Sequence, residues 1–182
     1  MAARSIVMVK DVNGTVHGLK NSRPPLTIVT YGDEDYRAVG NALASELRGR
    51  GFTVTVFKLW PASGPASYDS AAAAIQRSPV TVFAASDKPI ASRGSIGLPD
   101  AMMALISATS LSRPTVLVSL GNPYLISQLP EVGSYLIGWR SNPVTEQAVA
   151  RALAGATAIT GRLPISIPPQ YARGWGVQRR VR

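Results

Sequence analysis

The sequence predicts an α/β fold, a three-layer α/β/α sandwich around a mostly parallel sheet, and three observations lead there. Apolar runs at residues 26–31 (LTIVTY), 79–85 (PVTVFAA) and 115–120 (TVLVSL) are continuous rather than alternating, as in strands buried on both faces. Stretches of helical periodicity lie between them. The connections are short, so successive strands must be parallel neighbours joined by helical crossovers. A length of 182 residues suits one domain with a sizeable core. With 46% hydrophobic and 16% charged residues, the chain has the composition of a folded protein rather than a disordered one.

Each element follows from local signals. Residues 5–10 (SIVMVK) are β-prone, and Asn13-Gly14 is a strong type I′ turn signal, so residues 1–25 are expected to form an arm or hairpin leading into the domain. After Pro24 and Pro25 comes the strand at 26–31. Asp33 is the expected N-cap of the next helix, where Val39, Leu43 and Leu47 repeat every four residues as one apolar stripe. A strand at 52–57, a Pro/Gly loop at 61–65 and an alanine-rich helix at 68–77 follow. Beyond the strand at 79–85 a polar connection at 86–97 leads to a helix opened by Pro99, with Met102, Leu105 and Ile106 on its buried face. The strand at 115–120, the loop 121–124, a strand at 135–139 and a helix entered through Asn142-Pro143 complete the alternation. Prolines at 164 and 168 demote residues 161–168 to an edge strand or clasp. The sandwich is thus expected over residues 26–170, with a basic tail at 171–182.

Several chemistries are excluded by counting. Without cysteine there is no disulfide framework, thiolate metal site or thiol nucleophile, and with His17 as the single histidine a His-based metal centre lacks ligands. No metal or cofactor is expected. No apolar run approaches the roughly 18 residues of a membrane-spanning helix, and the stretch before Lys10 is too short for the apolar region of a signal peptide. Fifteen arginines and four lysines against ten carboxylates give a net charge of +9, which calls for weighing a polyanionic partner. The arginines are scattered, however, with a local run only at Arg173, Arg179, Arg180 and Arg182, and no aromatic recognition pattern accompanies them. Nucleic acid is not the expected partner.

In such a fold, ligands gather at the carboxyl ends of the strands. Ser119 lacks the first glycine of a nucleophile elbow and reads as an ordinary strand-end serine. Asp33, Glu34 and Asp35 stand where a dinucleotide fold would cradle phosphate, and read as complements to a helix dipole. His17 is a packing or solvent-facing side chain. Asn13-Gly14-Thr15 fits a glycosylation triplet but is more simply a turn. The loop Arg93-Gly94-Ser95 could offer backbone N–H groups to an anion. No catalytic constellation is expected. The candidate ligand or partner contacts are Arg93, Ser95, Asn122, Tyr124, Trp139 and Arg140, and Trp60 is a further loop aromatic.

Several stretches together resemble the C-terminal domain of glycoside hydrolase family 3, in particular its β-N-acetylhexosaminidase-like branch. Residues 2–10 look like the segment that opens that domain. Residues 94–99 (GSIGLP) and 113–124 (RPTVLVSLGNPY) are similar to its loop, strand and Gly-Asn-Pro-Tyr turn, and 159–168 (ITGRLPISIP) with 171–174 to its closing clasp and basic tail. The resemblance implies a non-catalytic domain that packs on a catalytic (β/α)8 barrel and braces its active site. The barrel carries the aspartate nucleophile and, in the hexosaminidase branch, a His/Asp pair. In the β-glucosidase branch a glutamate comes from the loop before the Leu-Pro helix. Here Asp87 is the only carboxylate of residues 86–94, which favours the hexosaminidase-like branch. Glycoside hydrolysis needs two carboxyl groups about 5–9.5 Å apart, so the chain alone is expected to be inactive. The implied partners are the barrel and an amino-sugar oligosaccharide. The alternative is a stand-alone carbohydrate- or small-ligand-binding module.

Overall fold

The computed structural model describes residues 5–33, 36–87 and 97–181. Its strands are β1 (Val7–Asp11), β2 (Leu26–Gly32), β3 (Val54–Leu59), β4 (Val80–Ser86), β5 (Thr115–Ser119) and β6 (Ser134–Ile137). The helices are α1 (Thr15–Ser22), α2 (Asn41–Gly49), α3 (Pro65–Ile75), α4 (Asp100–Ser112), α5 (Leu125–Gln128) and α6 (Pro143–Leu153). One sheet has the order β1-β6-β5-β4-β2-β3. All pairings are parallel except β1 with β6. The continuous apolar runs are explained by a core on each face. Leu26, Ile28, Val82, Val118 and Leu136 point to the side covered by α1, α2 and α6. Val29, Phe83, Leu117 and Ile137 point to the side covered by α3, α4 and α5. The predicted three-layer α/β/α sandwich is the observed fold.

Of the two forms expected for residues 1–25, arm or hairpin, the hairpin does not form. β1 pairs with β6, more than a hundred residues away, and the chain after Asn13 enters a helix. Gly14 does take the positive φ that the turn signal requires (64°), but here that bend sets up α1. The Asp11 carboxylate then accepts from the free amides of Val16 and His17, which stabilises a helix start rather than a return strand.

The second helix also starts later than its acidic run suggests. Asp33 is not its N-cap; α2 begins at Asn41, after Gly40 at φ 80°. A Cβ on Gly40 would lie 2.4 Å from the Thr30 side chain, so both conformation and space require glycine there. α3 starts at Pro65 rather than Tyr68, because Pro65 suits the first helical turn. Leu105 is only half-buried, unlike Met102 and Ile106. The last helix follows its signals: the Asn142 side chain caps the Thr145 amide at 2.9 Å, and Pro143 fills the first turn.

The basic tail at 171–182 packs against the domain. Val177 donates to Met8 O and the Trp175 indole to Val9 O, so this segment covers the outer side of β1. Arg179 is buried at 5% exposure, donating to Val16 O, Thr157 O and Ala152 O at the end of α6. It is thereby withdrawn from the surface run of arginines. Residues 159–171 form the clasp through isolated bridges Ile159↔Arg179 and Ile167↔Tyr171. Among the described residues no helix is long and apolar enough to cross a membrane.

Candidate functional site

A cleft of about 770 Å³ lies over the carboxyl ends of β2, β4, β5 and β6. The parallel strands end together there, and the chain leaves each one through a turn, which is why such folds open on that side. The turns supply Asp33, Asp87, the segment Gly121 to Tyr124, and Trp139 to Pro143. The first turn of α2 and Glu146 of α6 close the side wall.

The turn after β5 is built by its own sequence. The Asn122 side chain accepts from the Tyr124 amide at 2.9 Å, while its carbonyl receives the Ser119 hydroxyl at 2.6 Å. The buried Tyr135 hydroxyl donates to Pro123 O at 2.9 Å, and burial pushes that phenol well above its ordinary range. Gly121 leaves no room for a side chain, since a Cβ would stand 2.3 Å from the Asp87 carbonyl oxygen. The base of this turn is therefore rigid and buried. Its tip is not: Tyr124 is 45% exposed.

Trp139 leaves β6 with φ 71°, a conformation that costs a bulky residue about 1–3 kcal/mol and persists only when its surroundings impose it. Its indole donates to Ser5 O at 2.9 Å, fixing the ring where the chain enters the sheet. Arg140 beside it is exposed at the rim.

The opposite wall rests on Glu146, which is only 3% exposed. Its Oε1 accepts from Gly40 N at 3.0 Å and Ser141 Oγ at 3.2 Å; its Oε2 accepts from Ala42 N at 3.1 Å and Leu43 N at 3.3 Å. One carboxylate thus satisfies three amides at the start of α2, where no local side chain caps the helix. Lys58 holds the carbonyl side of the same connector, donating to Arg37 O, to Val39 O at 3.3 Å and to Asn41 Oδ1 at 2.7 Å. Burial lowers the affinity of its amine for a proton, and the charge of Glu146 partly restores it.

The structure brings four of the six candidates, Asn122, Tyr124, Trp139 and Arg140, to one cleft. Arg93 and Ser95 lie outside the described residues. Asn122, at 7% exposure, also builds the turn with its side chain. Trp60 stacks on Tyr36 with centroids 4.6 Å apart, so one of its faces is already covered within the chain. His17 is away from the cleft, with Nδ1 2.5 Å from Asp11 Oδ2. Among the described residues no three His, Asp or Glu side chains converge as a metal would require.

Sequence reasoning missed Glu146 and Lys58. A signal for the first was present: Glu146, Val149, Ala150 and Leu153 share the spacing of one helix face, and all are buried, so the glutamate sits on an apolar stripe. A charge placed there needs a partner from another element. Lys58 carried no comparable mark, since an edge strand usually bears a lysine as a guard.

A sandwich with a ligand-sized cleft at the carboxyl ends of parallel strands is a domain class with many functions. The particular family is shown by the sequence: residues 6–178 match the glycosyl hydrolase family 3 C-terminal domain, and the chain belongs to that family. No curated protein matches the chain. Among solved structures, it is similar to a family 3 β-N-acetylglucosaminidase from Paenibacillus sp. str. FPU-7, with TM-score 0.72 and 17% identity over 88% of this chain and 30% of that one. It is also similar to a β-glucosidase from Listeria innocua, with TM-score 0.75 and 17% identity over 97% of this chain and 32% of that one. A fungal multi-domain family 3 β-N-acetylglucosaminidase gives TM-score 0.71 and 17% identity over 92% of this chain and 18% of that one. The chain spans less than a third of each of these enzymes.

Proposed function

We propose that the chain is the non-catalytic C-terminal domain of a family 3 glycoside hydrolase of the β-N-acetylhexosaminidase-like branch, packing on a (β/α)8 barrel and bracing its active site. The observation that carries this reading is the rim of the cleft. Tyr124 projects from a turn whose base is fully hydrogen-bonded, beside the anchored Trp139 and exposed Arg140, so a rigid mount presents an aromatic surface to a partner. The branch is supported by residues 86–94, where Asp87 is the only carboxylate and no glutamate is available as an acid–base group. Glu146 does not substitute for one, because four donors already occupy its carboxylate.

The test combines the purified chain with a barrel polypeptide of this family and follows hydrolysis of 4-nitrophenyl N-acetyl-β-glucosaminide and 4-nitrophenyl β-glucoside. The chain alone is expected to hydrolyse neither, and the pair to co-elute and prefer the amino sugar. Turnover by the chain alone, or a preference for the glucoside, would overturn the reading. A second reading, a stand-alone carbohydrate-binding module, is favoured by the volume of the cleft. Heat on titrating N-acetylglucosamine oligomers into the chain without a barrel would select it.

A further inference from the structure

The arginines are scattered along the sequence, but the fold gathers many of them at one end. In a parallel sandwich the crossover helices run back against the strands, so their carboxyl ends collect at the amino ends of the strands, opposite the cleft. Arg23 precedes β2, Arg48 lies in the last turn of α2, Arg77 lies between α3 and β4, and Arg151 lies in the last turn of α6; all are exposed. Arg113 ties the ends of α3 and α4 together, donating to Ile75 O at 2.8 Å and Ser78 O at 3.2 Å. The exposed Arg180 joins the same end, because its neighbour Arg179 is bonded to Val16 O and Ala152 O. The carboxylates there are engaged or half-covered. The Asp11 side chain is buried and caps α1, Glu46 is held by Arg50 and Arg151, and Glu131 before β6 is half-buried. At the cleft end the acids stand instead: Asp33, Asp87, Asp100 and Glu146 follow strand ends or open helices.

A basic residue in the last turn of a helix complements the helix dipole, which accounts for part of this charge. It does not account for the apolar side chains among the arginines. Leu111 in the last turn of α4 is 77% exposed, Val12 between β1 and α1 is 71% exposed, and Val181 is 51% exposed. They belong to the same end: Leu111 is two residues from Arg113, the Val12 amide donates to Gly133 O just before β6, and Val181 follows Arg180.

We propose that this end of the domain is a docking face for an anionic lipid bilayer, with the arginines against the headgroups and Leu111, Val12 and Val181 entering the interface. A soluble polyanion would use the charge and leave the apolar side chains in water. A bilayer uses both, since the headgroups attract the arginines and the acyl boundary takes up the exposed apolar groups. The contact is peripheral, because no helix among the described residues is long and apolar enough to cross a membrane. The face lies opposite the cleft, so it stays available when the cleft is covered, and its failure would leave the barrel-packing proposal standing.

The experiment measures co-sedimentation of the full chain with vesicles of phosphatidylglycerol and phosphatidylcholine in equal parts, with phosphatidylcholine vesicles and a heparin column as comparisons. Wild type is expected to bind the mixed vesicles and not the phosphatidylcholine ones, and to lose that binding in molar salt. Arg77→Glu with Arg180→Glu is expected to weaken vesicle binding at least about tenfold, as ~1 kcal/mol per basic group near the surface implies. The charge-matched pair Arg37→Glu with Arg140→Glu, near the cleft, is expected to change it by less than about threefold, because charges beyond a Debye length are screened. Leu111→Ser with Val181→Ser is expected to weaken vesicle binding about threefold or more and to leave elution from heparin unchanged. Wild type that ignores the mixed vesicles, or that binds phosphatidylcholine equally well, would overturn the proposal. So would equal losses from the two charge pairs, which would assign the binding to net charge alone. A Leu111→Ser, Val181→Ser variant that binds vesicles like wild type would overturn it too, and would assign the face to a soluble polyanion.

Discussion

The two walls of the cleft are built by opposite means. The wall around α2 is assembled from residues far apart in sequence, with Glu146 reaching amides 103 to 106 positions away and Lys58 holding the carbonyls of the same connector. The turn after β5 is local: Ser119, Asn122 and Tyr124 bond to one another within a few residues. The first wall uses up its polar groups on itself. The second is rigid at its base and leaves its aromatic tip exposed. Under the proposed packing on a barrel, this division leaves the donors around Glu146 engaged within the domain and the open rim as contact area.

The largest effect expected within this comparison is at the base of the local turn. Gly121→Val places atoms against the Asp87 carbonyl and is expected to destabilise the chain by about 3 kcal/mol, a fall in melting temperature of roughly 6–12 °C. A variant that melts like wild type would mean that the base of this wall is as adaptable as its rim. Next comes the rim itself. Tyr124→Ala should cost the chain no more than about 1 kcal/mol, because nearly half of the residue is exposed. The same change should weaken co-elution with a barrel polypeptide by about tenfold or more, as loss of an interface aromatic does. Loss of stability without loss of association would reverse the roles assigned to base and rim.

The smallest effect lies behind the closed wall, where Glu46 of α2 takes Arg151 Nε of α6 at 2.9 Å and Arg50 Nη2 at 2.8 Å. The hydrogen bonds from Arg151 and Arg50 hold the Glu46 carboxyl below its ordinary range. A carboxyl whose folded value is lowered contributes stability above its unfolded value, and loses it as pH falls through the lowered one. Arg151→Ala should therefore cost a small amount of melting temperature at neutral pH, and the gap to wild type should close in acid. Melts across that range check it, and a gap that persists unchanged at low pH would assign the effect to packing instead.

Much of the fold was legible because its signals are local. The continuous apolar runs at β2, β4 and β5, the Asn142-Pro143 helix start and the Gly-Asn-Pro-Tyr turn each depend on a window of a few residues, and each formed where its signal lies. Asn13-Gly14 shows the limit: the same bend serves a hairpin or a helix entry, and the choice was made by β6 pairing with β1 and by Asp11 capping α1. Asp33 is not an N-cap because the helix starts only at Asn41, where a carboxylate from a distant helix takes the amides instead.

By itself the sequence determined the layer architecture, the strand positions, the exclusion of thiol chemistry and the rim residues Tyr124, Trp139 and Arg140, because periodicity and turn chemistry are written in neighbouring residues. Only the tertiary structure decided that Arg179 is buried, that Trp60 is stacked on Tyr36, and that Glu146 fills the seat at the start of α2. Those outcomes depend on which distant groups the packed layers bring within hydrogen-bonding reach. A buried charge takes the partner that packing supplies, and no window of sequence names it.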